Sequence, residues 1–367
     1  MSAPEASGVR FAQRGDLGLV VLDRPAALNA LTHGMVQAMS RQLAVWRDDP
    51  RIGAVLVTAV PGRAFCAGGD VRAASRAWLE GGAAAAMPFF ADEYELNWRI
   101  ATSPKPYVAL IDGVTMGGGV GISVHGTRCV ATERTLVAMP ETAIGMFPDV
   151  GGTVLLGQRC AGGLGAWLGL TGARLDAAGC LAAGIAQVHV PAARCEALVA
   201  ALAATPLAGL DKAAATASID AVLAGFATAA GADPLTLLRA RIEACFAAPD
   251  LATLLADLAA EPSGWGAEQL AILRRHSPFA VRLTHEQLRR APGLDFAAAM
   301  RMEYRMVHRV FAQGDFHEGV RALLVDKDRQ PRWAHAALEA VPEALIAGCF
   351  APLAPPTPEL VLDWVVD

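Results

Sequence analysis

Residues 107–126 read YVALIDGVTMGGGVGISVHG, in which an apolar run typical of a short buried strand is followed by a glycine-rich loop that opens a helix. A second loop of this kind, AFCAGGD at residues 64–70, lies between the strand RIGAVLVTAV and a helix that runs through AWLE. The two loops define a repeating unit, and the segments on either side of them repeat the alternation of strand and helix.

The rest of the first half fits the same alternation. Residues 9–25 predict a hairpin with its turn at residues 14–16, and residues 32–46 have helical spacing behind a Thr32 cap. Beyond the first loop we predict a further helix over residues 88–100, then strands in TRCVATE, TLVAMPE and AQVHV, with helices in GGTVLLGQRC, GLGAWLGL and LDAAGCLAAG. This order predicts an α/β fold built from strand-strand-helix units.

The character of the chain changes near residue 191. The following segments are rich in alanine and have helical patterns, with breaks at Pro262, Pro278, Pro292 and Pro331. We therefore divide the chain into a core over residues 1–200 and a helical C-terminal region over residues 201–367.

Composition narrows the class of protein. Of the 367 residues, 54% are hydrophobic and 18% are charged, which predicts a folded chain with a large core. The net charge of −5 and the absence of a basic run argue against nucleic acid as a partner. The longest uncharged run, residues 177–193, contains glycines and a proline and does not predict a membrane span. The N-terminal stretch has no apolar signal core and contains acids, so we expect a cytoplasmic protein.

Cysteine and histidine spacing gives no sign of a metal or redox site. The seven cysteines contain no C-x-x-C pair, and we expect reduced, structural thiols. Cys66 lies beside a glycine loop but has no histidine near it in sequence. No pair of the eight histidines has metal-ligand spacing with acids, so we expect neither a metal nor a redox cofactor.

The two glycine loops have a chemical interpretation besides close backbone packing. Glycines between a strand and a helix let backbone N–H groups approach a ligand, and the start of a helix adds partial positive charge. Neither a G-K-[ST] ending nor a G-x-G-x-x-G pattern is present, which argues against phosphate and dinucleotide loops. Ser123 lies in G-x-S-x-x-G rather than G-x-S-x-G, so it does not fit a nucleophile elbow. Two such loops indicate an oxyanion hole.

Two carboxylates interrupt the apolar segment VAMPETAIGMFPDVGG, residues 137–152. Burying an unpaired charge is costly, so Glu141 and Asp149 belong either to an exposed loop or to a functional site. Each has a local explanation, because Glu141 follows Pro140 at a predicted helix start and P-D-x-G is ordinary turn chemistry. Together with two glycine loops in order, the pair favours a site.

In order and spacing, FCAGGD, VALIDGVTMGGGVGISVHG and MPETAIGMFPDVGG resemble the enoyl-CoA hydratase/isomerase (crotonase) superfamily, and they look most like its 3-hydroxyisobutyryl-CoA hydrolase branch. The superfamily resemblance covers about residues 9–190, and the branch resemblance continues through MEYRM and DFHEGVRALLVDKDRQPRW to about residue 333. It implies a crotonase-like spiral of strand-strand-helix units and a helical C-terminal region that closes over an acyl-CoA thioester. The superfamily often forms trimers and their dimers, which leaves a homo-oligomer open.

By position, the resemblance assigns the oxyanion hole to the N–H groups of Gly69 and Gly118. It makes Glu141 and Asp149 the catalytic acids and places Glu93, from FFADEYELNWR, at the substrate together with Gly118, Glu141 and Asp149. Asp92 replaces the first acid of the branch's E-E-Y segment. Hydratases of the superfamily carry a second catalytic glutamate where this chain has Gly121, which argues against simple hydration.

The resulting expectation is an acyl-CoA thioester hydrolase that acts on 3-hydroxyisobutyryl-CoA in valine breakdown, with CoA as part of the substrate and no separate cofactor. An enoyl-CoA hydratase or a dienoyl-CoA isomerase on the same fold is the nearest alternative. A third alternative is a non-catalytic CoA-binding protein. The sequence leaves the acyl group open, and it also leaves open whether Glu141 attacks carbon or moves a proton.

Overall fold

The computed structural model describes residues 8–365, and two β-sheets form the centre of its N-terminal half. Six strands form the first sheet in the order β1-β2-β3-β5-β7-β10, and four form the second in the order β4-β6-β8-β9. The strands are β1 (Val9–Arg14), β2 (Leu17–Leu22), β3 (Ala54–Ala59), β4 (Ala64–Cys66), β5 (Tyr107–Ile111), β6 (Val114–Met116), β7 (Arg128–Ala131), β8 (Leu136–Ala138), β9 (Leu175–Asp176) and β10 (Val188–His189).

The chain winds between the sheets as a spiral. Each of the strand pairs β3-β4, β5-β6 and β7-β8 contributes its first member to the six-stranded sheet and its second member to the four-stranded sheet. Successive turns of the spiral therefore lie side by side, and β3, β5 and β7 pair in parallel, as do β4, β6 and β8. The pair β1-β2 is the predicted antiparallel hairpin. The α/β fold class predicted from the sequence is confirmed.

The helices of the N-terminal half differ from the predicted ones chiefly after Gly117. They are α1 (His33–Asp48), α2 (Val71–Thr102), α3 (Gly118–Gly121), α4 (Gly152–Val154), α5 (Gly163–Thr171) and α6 (Ala177–Ala182). The two helices predicted around residues 71–100 are present as two helical segments of α2, which are separated at Gly82, where φ is 63° and ψ is −154° and the backbone is not helical. The helix predicted over residues 116–126 is the single turn α3, because three of its four residues are glycines, which disfavour helix.

From Cys195 onward the described part of the chain contains helices and no strand. They are α7 (Cys195–Ala203), α8 (Lys212–Phe226), α9 (Arg239–Phe246), α10 (Leu251–Ala260), α11 (Trp265–Arg275), α12 (Pro278–Arg290), α13 (Phe296–Gln313), α14 (Asp315–Val320) and α15 (Glu343–Cys349). Pro278 begins α12, and Pro262 and Pro292 lie between helices, as their missing N–H groups require. None of the helices within residues 8–365 combines the length and apolarity needed to cross a membrane.

The C-terminal helices share the main hydrophobic core with the N-terminal half. Phe311 of α13 packs on Phe90 of α2 with ring centroids 5.1 Å apart, and Phe316 of α14 lies 4.5 Å from Phe311. The same core includes strand residues such as Val57. These apolar contacts show that the two parts share one core, and they do not test the boundary at residue 200. The division into two regions therefore stays a prediction.

Candidate active site

A cavity of about 300 Å³ lies where the two glycine loops, the middle of α2 and the C-terminal region meet. Its wall contains both loop backbones, three carboxylates and a largely apolar set of side chains. The apolar lining consists of Val71, Phe89, Phe90, Met116, Pro140, Ala143, Ile144, Met146, Phe316, Leu323 and Leu324. The last three come from the C-terminal region, which therefore closes one side of the cavity.

Gly69 and Gly118 bring two backbone N–H groups to the cavity wall. Each follows the end of a strand in the four-stranded sheet, and a methyl group added at Gly118 would lie only 3.1 Å from the Gly69 nitrogen. A left-handed glycine precedes each of them, Gly68 with φ 115° and Gly117 with φ 46°, and other residues rarely adopt these angles. Within residues 8–365 neither N–H group has a hydrogen-bond acceptor. Both are free to donate to a ligand oxygen.

The three carboxylates in the wall are buried, with Glu93 only 2% exposed, Glu141 6% and Asp149 7%. Glu93 lies in the middle of α2, Glu141 begins a 3₁₀ turn after β8, and Asp149 lies in the turn before α4. Burial raises the pKa of Asp149 to about 6. Burial, followed by repulsion from Asp149, raises the pKa of Glu93 and of Glu141 well above the ordinary range. Of the three groups, Asp149 therefore ionises most readily.

Tyr94 is the hydrogen-bond partner of Asp149. Its hydroxyl donates to Asp149 Oδ2 at 2.8 Å, and the tyrosine side chain is completely buried. This bond opposes the effect of burial and lowers the pKa of Asp149. Because Glu93 and Tyr94 are consecutive residues of α2, one helix turn reaches both the cavity and the acid. The sequence drew attention to this segment but gave Tyr94 no role.

Asp92, the neighbour of Glu93, points away from the cavity. Its Oδ2 lies 2.6 Å from His33 Nε2 and accepts a hydrogen bond from Gln37 at 2.9 Å, so it joins α2 to α1. The replacement of the first acid in the E-E-Y segment therefore falls outside the cavity wall.

The other polar groups near the glycine loops are held in structural contacts. Ser123 donates to the Gly119 carbonyl at 2.7 Å, and His125 Nε2 lies 2.8 Å from the Val150 carbonyl. Burial lowers the pKa of His125 to about 3 and raises that of the Cys66 thiol to about 12. None of these groups is therefore suited to act as a nucleophile or as a base near neutral pH.

Position 121 is closed to a side chain. A methyl group added at Gly121 would lie 2.7 Å from Val150 Cβ and 2.8 Å from Asn97 Nδ2, which is closer than real contacts of this kind. Asn97 is completely buried, and its amide atoms have no hydrogen-bond partner in the described structure. A glutamate at position 121 would have to displace both Val150 and Asn97. The fold therefore leaves no space for a second acid at this position.

Arg321, in the segment after α14, is engaged by acids of its own segment. Its guanidinium contacts Glu318, Asp326 and Asp328 at 2.6–2.7 Å. These ion pairs shape the segment after α14 that supplies Leu323 and Leu324 to the cavity. No group of His, Cys, Asp or Glu side chains between residues 8 and 365 has the arrangement of a metal site.

A family model described as enoyl-CoA hydratase/isomerase matches residues 17–350. The chain belongs to the enoyl-CoA hydratase/isomerase family. The match begins at β2 and ends just after α15, so it includes the sheets, both glycine loops and the C-terminal helices.

Curated relatives agree over nearly the full length of the chain. The protein of Xenopus laevis named "3-hydroxyisobutyryl-CoA hydrolase, mitochondrial" is 40% identical over 351 residues, which are 94% of this chain and 89% of that protein. The Homo sapiens protein of the same name is 40% identical over 343 residues, or 92% of this chain and 87% of that protein. The superfamily and branch predicted from the motifs are confirmed.

Two solved structures share the fold with high similarity. A carnitinyl-CoA dehydratase from Mycobacterium thermoresistibile is 38% identical with a TM-score of 0.88, covering 98% of this chain and 99% of its own. An enoyl-CoA hydratase from Rhodobacter sphaeroides 2.4.1 is 41% identical with a TM-score of 0.87, covering 97% and 100%. The names of the solved structures describe dehydration or hydration, whereas the curated relatives are named as hydrolases.

Proposed function

We propose that this chain is an acyl-CoA thioester hydrolase that acts on 3-hydroxyisobutyryl-CoA. One observation carries the proposal: two free N–H groups, on Gly69 and Gly118, share a cavity with Glu141 and Asp149, while position 121 has no room for another acid. The names of the curated relatives support the substrate. The proposed site residues are these two glycines, the two acids and Glu93.

The two N–H groups stabilise the charge that develops on the thioester oxygen. Nucleophilic attack at the carbonyl carbon converts that oxygen to an oxyanion, and fixed donors in a site that excludes water favour this state. Losing one such donor typically costs ~3 kcal/mol of transition-state stabilisation. Gly69 and Gly118 provide the donors without side chains that would fill the space of the ligand.

Two chemical routes can lead from the bound thioester to the free acid and CoA. In the first, Glu141 gives up its proton, its carboxylate attacks the carbonyl carbon, the C–S bond breaks, and CoA leaves as a thiolate that takes up that proton. Asp149 then deprotonates a water that opens the resulting anhydride, which releases the acid and restores Glu141. In the second, Asp149 deprotonates a water that attacks the thioester directly, and protonated Glu141 gives its proton to the departing sulfur. In both routes the proton taken up by Asp149 passes back to Glu141, so each route consumes one water and yields a carboxylic acid and free CoA.

Glu93 is assigned to the hydroxyl group of the acyl chain. Its Oε1 is buried without a hydrogen-bond partner in the described structure and lies 2.5 Å from the position of a methyl group added at Gly118. A neutral, protonated carboxyl both donates and accepts hydrogen bonds, which suits recognition of a hydroxyl. Rejection of acyl chains without that hydroxyl would follow, because Glu93 would then stay unpaired.

Hydration or dehydration is the second candidate, favoured by the names of the two solved structures. That chemistry leaves the thioester intact, so the two functions differ in whether CoA is released. The closed position 121 weighs against it, because a second carboxylate has no space there. A non-catalytic CoA-binding protein is the third candidate.

The test is release of free thiol from a panel containing 3-hydroxyisobutyryl-CoA, isobutyryl-CoA and crotonyl-CoA. We expect fast release from the first only, and loss of release in Glu141→Gln and Asp149→Asn. Glu93→Gln should lower selectivity for the hydroxylated chain, whereas Asp92→Asn is the matched control, because Asp92 points to α1. Product formation without free CoA would refute hydrolysis, and activity unaltered in Glu141→Gln would refute the assigned site.

A second experiment separates the two routes. Borohydride added during turnover reduces an anhydride to an alcohol, so mass spectrometry of the peptide containing Glu141 detects a modified side chain only if the first route operates. An unmodified peptide at full turnover supports direct attack by water.

The proposal also concerns the pathway, the cofactors, the cellular location and the oligomeric state. Action on 3-hydroxyisobutyryl-CoA would place the enzyme in valine breakdown, and neither a metal nor a redox cofactor takes part in the proposed routes. A cytoplasmic location stays a prediction, since the curated relatives are named mitochondrial. A homo-oligomer is likewise a prediction, to be checked by light scattering.

A further inference from the structure

The turn over residues 148–153, which carries Asp149, has a strained backbone. Val150 has a φ of 50° and Gly151 a φ of 86°, so two consecutive residues are left-handed. A β-branched residue rarely adopts this conformation, because its side chain crowds its own backbone. Such strain persists only where surrounding contacts determine the conformation, and it clusters at functional sites.

Two buried side chains of the C-terminal region hold this turn. Glu303 of α13 accepts the N–H of Gly151 on Oε2 and the N–H of Thr153 on Oε1, each at 2.9 Å. Gln287 of α12 donates its amide to the carbonyl of Pro148 at 2.7 Å and to the hydroxyl of Thr153 at 2.9 Å. Both side chains are completely buried. The carboxylate and the amide together fix the backbone on both sides of Asp149.

Packing alone does not account for an acid at this place. Burying a carboxyl group costs free energy, and an apolar side chain of similar volume often packs as well or better. Glu303 instead defines the backbone conformation of the turn, because its two oxygens accept hydrogen bonds from two N–H groups separated by one residue. The N-terminal half adds two further contacts: Tyr94 donates to the Asp149 carboxyl and His125 contacts the Val150 carbonyl.

We infer that Glu303 is a positioning residue for the reaction: acting through the turn over residues 148–153, it sets where the Asp149 carboxylate stands in the cavity. The inference rests on the proposed function, in which Asp149 activates water. It also gives the C-terminal region a role in the chemistry besides covering the cavity, because α12 and α13 determine the geometry of an acid in the N-terminal half.

The test compares Glu303→Gln with Gln269→Leu. A glutamine at position 303 keeps the volume but replaces one acceptor oxygen with a donor, so one of the two N–H groups loses its partner. Gln269 is a buried control in α11 that accepts from the indole of Trp167 at 2.8 Å, away from the turn. We expect Glu303→Gln to lower kcat ~10- to 100-fold with little change in KM, because small displacements of catalytic groups have large effects on rate. Gln269→Leu should lower Tm but leave kcat near wild type.

A double-mutant cycle separates positioning from general loss of structure. In an Asp149→Asn background, Glu303→Gln should lower the remaining rate less than ~3-fold, because the group that it positions is already lost. The inference is overturned if kcat of Glu303→Gln stays within threefold of wild type, or if its full effect persists in that background. Should Glu303→Gln fail to fold, Gln287→Leu provides the same comparison. A wild-type protein that releases no thiol overturns the proposed function and this inference with it.

Discussion

Replacing Tyr94 with phenylalanine removes one oxygen atom, the one that donates a hydrogen bond to Asp149 at 2.8 Å. The ring stays in place, packed against Phe90 and Tyr304 with centroids 6.1 and 6.4 Å away. The change therefore isolates the effect of a single donor on the acid proposed to activate water.

The size of the effect follows from the burial of the pair. A hydrogen bond to a charged group contributes ~1.5–3 kcal/mol, and one pKa unit corresponds to ~1.4 kcal/mol. The pKa of Asp149, about 6 with the bond in place, should therefore rise in the variant, and the acidic limb of kcat/KM should move up by ~1–2 pH units. Since Asp149 must be ionised to act as a base, activity at pH 7 should fall ~2- to 10-fold from ionisation alone and recover towards pH 9.

The assay is kcat/KM for thiol release as a function of pH. Tyr107→Phe is the matched control, because Tyr107 is also fully buried and its hydroxyl donates to a neutral acceptor, the Ile122 carbonyl, at 3.0 Å. Both variants should lose some thermal stability, but only Tyr94→Phe should move the acidic limb. An unmoved limb in Tyr94→Phe, or an equal movement in Tyr107→Phe, would refute the reasoning.

Three further predictions concern Gly118, Gly121 and Glu303. Gly118→Ala keeps its N–H group but places a methyl group 3.1 Å from the Gly69 nitrogen and 2.5 Å from Glu93 Oε1, so it crowds the space between the two donors and kcat for thiol release should fall ~100-fold; a loss below threefold would contradict the assigned oxyanion hole. Gly121→Glu should lower the free energy of unfolding by ~1–3 kcal/mol, because the new side chain meets Val150, and hydration of crotonyl-CoA at unchanged Tm would count against this. Burial raises the pKa of Glu303 to about 8, so its stabilising contribution is present below the ordinary glutamate range and is lost as pH rises through about 8. Thermal melting of Glu303→Gln should accordingly depend less on pH than that of wild type, and equal dependence would show that the group does not titrate as described.

The parts of the fold that local sequence determines were predicted correctly. Apolar strands, the Thr32 cap and the glycine loops each have a short-range physical cause, and Thr32 Oγ1 accepts from Met35 N at 3.2 Å as expected. The two helical segments on either side of Gly82 were predicted as separate helices. The helix after Gly117 was predicted too long, because a run of glycines shortens it to the single turn α3.

The residues that hold the candidate site could not be found in the same way. Tyr94 reaches Asp149 across 55 residues of sequence, and Glu303 reaches Thr153 across 150. Hydrogen bonds between residues so far apart in sequence depend on how the helices pack against each other. A single sequence contains no pattern that reveals this packing. In the sequence, the segments that contain Tyr94 and Glu303 were noticed only because they resemble segments of the family. The predicted roles of Glu93, Glu141 and Asp149 await the experiments described above.

The kink at Gly82 has a consequence for altering this protein by design. Helix α2 begins directly after the Gly69 loop, and Glu93 and Tyr94 lie beyond the kink. The bend therefore determines where Glu93 lies relative to the Gly69 N–H group. A methyl group added at Gly82 would meet no atom within 4 Å, although the left-handed backbone there disfavours other residues. Libraries aimed at different acyl-chain lengths can therefore vary residues 80–84, which would shift Glu93 relative to the Gly69 N–H group without replacing either residue.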